Sequence, residues 1–353
     1  MTGPIASLSV EAARLRGRME TLTRQVATGQ RAEALGDLAP EVPRAVSLRA
    51  DLGRREVYGR AMDQALGRTS LAQTALSRLT DIAREFRLDG GMRPNSADPG
   101  SLVTLPARAR AALAEVGHLL NSRQGGEYVF GGSDLGRPPI PDPDGLASGQ
   151  MAQDIALQVA SLGGGNAATV AAQTLAIAGS TAAGTSPFSA FLEDPLSGAA
   201  EARRSVPSGD GEVIRFGIAA NRNAEAVSGG ETTGGWARDL LRNLMSLAAL
   251  TPAQMASPAD FDAMVSSIRQ GLQAAETALG EEAGALGSVE ARIERAQQRH
   301  AAVSVTLEKQ LGAIQEVDLA ETLTRLQATR TTLEASYRAI GSLSELTLAK
   351  FLR

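Results

Sequence analysis

The stretch GEYVFGGS at residues 126–133 fits the phosphate-binding frame G-x-x-x-x-G-K-[ST] at every fixed position but one. Gly132 stands where the frame needs a lysine, whose ammonium neutralises phosphate charge. A phosphate loop also follows a strand and opens a helix, whereas here a helical pattern precedes the glycines and Pro138 and Pro139 follow them. The stretch is therefore predicted to be a crossing between domains, with Gly125 and Gly126 ending a helix.

Two other stretches resemble parts of known binding loops. The glycines at 163–165 lack the spacing and the preceding strand of a dinucleotide site, so a plain loop is predicted. Residues 142–145, DPDG, resemble a piece of a calcium loop, but Ile140 and Met151 would then occupy its first and twelfth positions. Neither side chain binds a hard cation, and no metal or cofactor is predicted.

The usual catalytic side chains are scarce. The chain has no cysteine and two histidines, His118 and His300, both within runs of helical spacing and without an acid or nucleophile pattern beside them. His300 falls in an apolar stripe and is interpreted as a seam residue. The adjacent acids at 193–194 and 281–282 are expected to be solvated, with a hydrolytic carboxylate pair as the alternative.

Charge and hydropathy exclude further classes of partner. The formal net charge is -4, so no overall basic field favours nucleic acid. Residues 155–192 are uncharged, but Ala, Gly, Thr and Ser dominate them. They therefore lack the continuous apolar character that a membrane span needs. Arg14, Arg16 and Arg18 precede no apolar segment, so a cleaved secretory signal is not predicted.

Both ends of the chain carry apolar residues at alternating spacings of four and three, which is typical of coiled coils. The predicted assembly residues are, near the start, Leu8, Leu15, Met19, Leu22 and Val26, with Ala12 on the same stripe, and near the end Leu319, Leu323, Leu326, Leu333, Tyr337 and Ile340. Such narrow stripes need a partner helix to cover them, within the chain or in another copy.

Between these ends, helices are predicted over residues 44–88, 105–122 and 236–250, and a long helix is predicted to begin at Pro258. The middle segment differs in composition. Its period-two runs predict strands around Ile155, Leu157 and Val159 and around Ile214, Phe216 and Ile218, with a helix over residues 166–178.

The predicted fold is mainly α: a long-helix coiled coil or bundle made from the N- and C-terminal regions, with a small α+β domain inserted in the middle. Residues 1–43 and 317–353 are predicted to form a terminal coiled-coil domain, residues 44–130 and 234–316 a helical core domain, and residues 131–233 an outer domain.

Three stretches resemble the bacterial flagellin family. They are LTRQVATGQRAEALGDLAPEVPRAVSLRADL at 22–52, TSLAQTALSRLTDIAREF at 69–86, and VDLAETLTRLQATRTTLEASYRAIGSLSELTLAKFL at 317–352. Within that family the chain is most similar to subunits at the hook-filament junction. The stretches that carry this similarity are GEYVFGGSD, LTRLQATRTTLEASY and LSELTLAKFL. The middle segment carries little of the resemblance.

The resemblance implies a structural subunit without catalytic residues or cofactors. The implied partners are copies of the chain, hook or hook-associated subunits, flagellin and an export chaperone. The implied location is extracellular, after type III export. It also implies that 8–26 and 319–340 line an inner tube, that 44–130 and 236–311 surround it, and that 131–233 project outward. A short flagellin is the nearest alternative; a secreted effector or translocator and an enzyme in the middle domain are the others.

Overall fold

The structure is a computed structural model and describes residues 4–89, 100–194, 202–209 and 211–351. Helices dominate it. They are α1 (Pro4–Thr28), α2 (Val42–Leu88), α3 (Ser101–Leu120), α4 (Gln150–Ala160), α5 (Ala167–Gly179), α6 (Ala190–Glu193), α7 (Trp236–Ala249), α8 (Pro258–Gln315) and α9 (Leu319–Phe351). Short 3-10 helices span Leu35–Leu38, Asp144–Ala147 and Pro252–Ala256.

The described strands form two antiparallel hairpins. β1 (Arg123–Gln124) pairs with β2 (Glu127–Tyr128), and β3 (Ser205–Gly209) pairs with β4 (Glu212–Arg215). In the second hairpin Val206 lies opposite Ile214, and both side chains are buried. The mainly helical fold with short strands in the middle of the chain is confirmed.

The chain divides into two compact units. The terminal unit comprises residues 1–57 and 299–353, and the central unit comprises residues 58–298. The three-part division predicted from the sequence stays a prediction.

The core of the central unit surrounds α7, which packs against α3, α4 and α5. Every residue from Trp236 to Ala248 is buried. Trp236 meets Phe130 edge to face, with ring centroids 6.4 Å apart, a geometry that aromatic pairs favour. Leu79 of α2 and Leu272 of α8 belong to the same apolar cluster, so helices from both halves of the sequence share one core.

Polar contacts also join α2 to α8 within the central unit. Gln73 Nε2 donates to the carbonyl oxygen of Ala283 at 2.7 Å. Arg84 and Arg87 donate through Nε to the two carboxylate oxygens of Glu276, at 3.0 Å and 2.8 Å. The pairing of long helices from the N- and C-terminal regions, predicted from the sequence, is therefore present.

One predicted strand is wrong. Residues around Ile155, Leu157 and Val159 form α4, in which Ile155 and Val159 are buried and Leu157 is 69% exposed. Their period of two coincided with a helical stripe, because Met151, Ile155 and Val159 recur every four residues. The other predicted run is a strand only in part, since β4 ends at Arg215, before Phe216 and Ile218.

Candidate assembly interface

In α1 the predicted stripe is the less exposed face of the helix. Leu22 is buried, as is Ala12 on the same stripe, while Leu8, Leu15, Met19 and Val26 are half-buried. α1 packs against α9 in the terminal unit, which explains why this face is partly covered. One copy of α9 covers the stripe only in part.

In α9 the predicted stripe divides into two sets. Leu333 is buried, and Leu326 and Ile340 are half-buried. By contrast Leu319, Leu323 and Tyr337 are 49%, 50% and 42% exposed. These three residues are called the exposed α9 stripe below.

Small polar residues occupy further covered positions on α9 that the predicted apolar stripe did not include. Thr322 and Thr329 are buried, and Ser336 is half-buried. Each hydroxyl donates to the carbonyl oxygen four residues earlier, at 2.6, 2.7 and 2.9 Å, so burial leaves no hydroxyl donor unpaired. With Leu326, Leu333 and Ile340 they complete a spacing of four and three. Because these three residues are polar, a pattern of apolar heptads does not include them.

One residue of the exposed α9 stripe also contacts α1. Arg16 donates a hydrogen bond through Nη2 to the hydroxyl of Tyr337, and its guanidinium lies 5.9 Å from the centroid of the tyrosine ring. The hydrogen bond raises the pKa of Arg16 above its usual value, so the residue stays a cation. The contact orients the ring while leaving much of it exposed.

Backbone pairing closes the ends of α1 and α9. Arg31 N donates to Gln315 O at 2.7 Å and Val317 N donates to Gly29 O at 3.0 Å. Gly29 follows the last residue of α1 with a φ of 69°, the left-handed conformation that ends many helices. Asp318 Oδ1 then accepts from the backbone N–H of Ala320 at 2.9 Å and caps α9.

A small separate core lies in the terminal unit. Leu38, Ala45, Leu48 and Ile314 are buried together, which joins the beginning of α2 to the end of α8. Nearby, His300 Nδ1 lies 3.0 Å from Arg55 Nη1. His300 is half-buried on α8, as expected of a seam residue.

These helices are the part of the chain that comparison with known proteins identifies. Residues 270–352 match the family model of the bacterial flagellin C-terminal helical region. The flagellin C-terminal helical region takes in most of α8 and α9, including the exposed α9 stripe. Through it the chain is similar to flagellin-family structural proteins of the flagellum. No curated protein matches the chain significantly.

The GEYVFGGS stretch lies outside the flagellin C-terminal helical region and forms part of a hairpin. Gly125 and Gly126 have φ angles of 57° and 90° and make the two-residue turn between β1 and β2. α3 already ends at Leu120, so the prediction that Gly125 and Gly126 end a helix is wrong. No helix begins at Gly131 to Ser133, where a phosphate loop would need one, since the next helical segment is the 3-10 helix Asp144–Ala147.

The other sequence-derived candidates have structural partners. Asp142 Oδ1 accepts from Gly145 N at 2.9 Å, which forms a turn before a 3-10 helix. Gly165 N donates to Asp260 Oδ2 at 2.9 Å, which anchors the loop before α5 to the start of α8. His118 Nε2 lies 3.0 Å from Asp144 Oδ1 on the surface.

The adjacent acids are not simply solvated, and that expectation is wrong for one member of each pair. Glu282 is 1% exposed, and its Oε1 accepts from the backbone N–H groups of three consecutive residues, Ala224 to Ala226, at 2.5 to 2.9 Å. Glu193 is held by Arg238 Nη2 at 2.6 and 2.5 Å to its two carboxylate oxygens. Glu282 thereby binds the 224–226 loop to α8, and Glu193 binds the end of α6 to α7.

The described residues show neither a metal-binding cluster nor a membrane-spanning helix. Within 4–89, 100–194, 202–209 and 211–351, no group of three or more His, Cys, Asp or Glu side chains is arranged to hold a metal ion. No helix in this part of the chain is both long and apolar enough to cross a membrane.

Proposed function

We propose that this chain is a structural subunit of the bacterial flagellum that joins the hook to the filament, similar to hook-associated protein 3. The match of residues 270–352 to the flagellin C-terminal helical region carries the flagellar part of the proposal. The matched helices also present the exposed α9 stripe, which a structural subunit would use and a self-contained bundle would not need.

The proposed interface consists of the two predicted stripes, Leu8, Leu15, Met19, Leu22 and Val26 in α1 and Leu319, Leu323, Leu326, Leu333, Tyr337 and Ile340 in α9. Covering apolar surface stabilises an assembly by about 25 cal/mol per Å². In this proposal α1 and α9 pair first within one chain, and Leu319, Leu323 and Tyr337 then pack against a neighbouring copy. Helix packing and self-assembly require no catalytic residue and no cofactor.

The junction role, as opposed to the filament role, is supported by the stretches GEYVFGGSD, LTRLQATRTTLEASY and LSELTLAKFL. The alternative is a short flagellin that forms the filament itself, and the matched helical region favours it equally. The two functions differ in stoichiometry, because a junction needs only a few subunits whereas a filament needs a long array.

The proposal includes a division of labour along the chain. Residues 1–43 and 317–353 would form the inner coiled coil, residues 44–130 and 234–316 the surrounding helical layer, and residues 131–233 the exterior. Partners would be copies of the chain, hook or hook-associated subunits, flagellin and an export chaperone. The subunit would reach the cell exterior by flagellar type III export.

Site-specific labelling in cells tests the proposal. The chain has no cysteine, so Leu157→Cys introduces a single thiol at an exposed position on α4 for a gold or fluorescent label. Electron microscopy should then show label only where hook and filament meet. Label along the whole filament would establish the short-flagellin alternative, and flagella without label would overturn both.

A deletion strain gives an independent test of the same proposal. Cells that lack a junction subunit should keep their hooks and shed flagellin into the medium, because filament subunits have nothing to attach to. If this chain is the sole flagellin, its deletion leaves nothing to shed. A strain with normal filaments after the deletion would overturn both roles.

A further inference from the structure

A polar cavity of about 340 Å³ lies in the central unit between α2 and the two hairpins. Its lining includes the charged side chains of Arg68, Glu127 and Arg204 and the apolar side chains of Val206 and Phe216. This volume lies at the lower end of the range for small-molecule sites, and a mixed polar and apolar lining is typical of them.

The charges in this cavity do not balance. Arg68 Nη1 and Arg204 Nη1 both donate to a single oxygen, Glu127 Oε2, at 3.0 and 2.8 Å. Two guanidinium cations therefore share one carboxylate. Burial lowers the pKa of Arg68, and the positive charge of Arg204 adds to that effect. Among the residues that the structure describes, no second carboxylate forms an ion pair with either guanidinium, so one positive charge lacks a matching anion.

Further hydrogen-bonding groups line the same space. Gln64 and Gln124 both border the cavity, and within the described part of the chain neither side-chain amide makes a hydrogen bond. Gln124 is held close to α2, because its Nε2 occupies the space that a side chain at Gly67 would fill. Arg204 uses one nitrogen for Glu127, and about a third of its side chain is exposed, at 35%.

We propose that this cavity binds a carboxylate that carries a short apolar stem. A monoanion would neutralise the single excess charge, whereas a phosphate dianion would exceed it. The planar fork of a guanidinium suits the two oxygens of a carboxylate. Val206 and Phe216 supply the apolar wall for the stem.

Two sources offer this chemistry: a free small carboxylate, or a glutamate or aspartate side chain from a second copy of the chain. The proposal concerns the ligand group that the cavity recognises, and it does not depend on the flagellar role. Failure of the flagellar proposal in cells would leave it intact, and the reverse also holds.

Titration with hexanoate tests the proposal on the full chain, with hexanamide as the neutral comparison. Calorimetry or NMR should detect saturable binding of hexanoate at millimolar concentration and no binding of hexanamide. Arg204→Gln should weaken hexanoate binding about tenfold or more, because it removes one charge-assisted partner. Arg215→Gln, on an exposed arginine of β4 outside the cavity lining, is the matched control and should bind normally.

A second variant keeps the test decisive if Arg204→Gln does not fold. Gln64→Glu keeps both arginines and adds a negative charge to the cavity wall, so it should also weaken hexanoate binding about tenfold. Thermal unfolding establishes that both variants are folded. If wild-type protein does not bind hexanoate saturably, or if folded Arg204→Gln and Gln64→Glu bind it as well as wild type, the proposal is wrong.

Sedimentation of the wild-type chain over a range of concentrations identifies the source. If hexanoate weakens self-association and Arg204→Gln mimics that effect, an acidic side chain of a second copy occupies the cavity. If hexanoate binds while self-association is unchanged, the natural ligand is a free carboxylate. Either result supports carboxylate recognition, and each depends on saturable binding of the probe.

Discussion

Arg16 of α1 lies across the aromatic ring of Tyr337 of α9, with its guanidinium 5.9 Å from the ring centroid, and donates a hydrogen bond to the tyrosine hydroxyl. The same ring belongs to the exposed α9 stripe. Tyr337 thus contributes to the pairing of α1 and α9 with its hydroxyl and one face, and 42% of the residue is still exposed for contact with another molecule.

Replacement of the leucines of the exposed α9 stripe should abolish assembly and leave folding nearly unchanged. The double variant Leu319→Ser, Leu323→Ser replaces two half-exposed side chains, so the melting temperature of the free chain should change little. Self-association, measured by sedimentation or electron microscopy, should be lost because the apolar contact between copies is lost.

Val227→Ser is the matched control for that experiment. Val227 is 83% exposed and belongs to the central unit, whereas the stripe belongs to the terminal unit, so its replacement should leave assembly unchanged. Leu333→Ala supplies the opposite case, because Leu333 is buried and its loss should weaken the free chain itself. Normal assembly of the double variant would remove the stripe from the proposed interface.

Loss of Glu282 should destabilise the central unit strongly. Glu282→Ala leaves three backbone N–H groups of the 224–226 loop without their buried acceptor. The expected cost is about 3 kcal/mol of the free energy of unfolding. Urea denaturation of Glu282→Ala beside Glu281→Ala measures it, since exposed Glu281 accepts one N–H, from Val227 at 3.1 Å, and should cost less than about 1 kcal/mol. Equal effects of the two variants would contradict the anchoring role.

The stability contributed by Glu276 should depend on pH. Burial acts to raise the pKa of Glu276, but the hydrogen bonds from Arg84 and Arg87 outweigh it, so the folded-state pKa lies below the ordinary value of 4.5. A lowered pKa means that the folded state favours the carboxylate. The stabilisation is therefore complete above pH 4.5 and disappears as the pH falls through the folded-state pKa.

Comparison of wild type with Glu276→Gln measures this dependence. Near neutral pH the variant should lose about 1 to 2 kcal/mol of the free energy of unfolding, and the difference should vanish in strong acid. Glu294→Gln, at an exposed acid on the same helix, should show little difference at any pH. A constant loss for Glu276→Gln across the pH range would show that the ion pairs do not cause it.

Completing the phosphate-binding frame should not create a phosphate site. Gly132→Lys gives the frame its missing lysine, but the stretch forms a hairpin and not the start of a helix. Calorimetry with ATP should detect no binding. The variant should also lose about 1 kcal/mol of stability, because Gly132 has a φ of 64° that a lysine adopts at a cost. ATP binding by this variant would revive the nucleotide interpretation.

The long helices were predictable because each carries a sustained period and a clear boundary. α2 begins two residues before its predicted start and ends at Leu88 as expected. α8 begins at Pro258, where the proline after Ser257 marked a helix start. Short segments gave weaker signals, and a run of three apolar residues at α4 fitted a strand and a helix equally well.

The buried face of α9 was predictable only in part. Leu326, Leu333 and Ile340 are apolar and lie where the prediction put them, but Thr322 and Thr329 face inward through hydroxyls bonded to their own helix. Residue type alone could not reveal this. Likewise the partners of Glu282 are backbone groups more than fifty positions away, which no local pattern encodes.

The pairing of Gly29 and Arg31 with Val317 and Gln315 has a consequence for the synthesis of the chain. The terminal unit joins residues 1–57 to residues 299–353, so α1 cannot pair with α9 until the residues between them have been made. A product that stops before residue 299 retains α1 but has no α9 to cover its stripe. Formation of this unit therefore requires that synthesis has passed through α9.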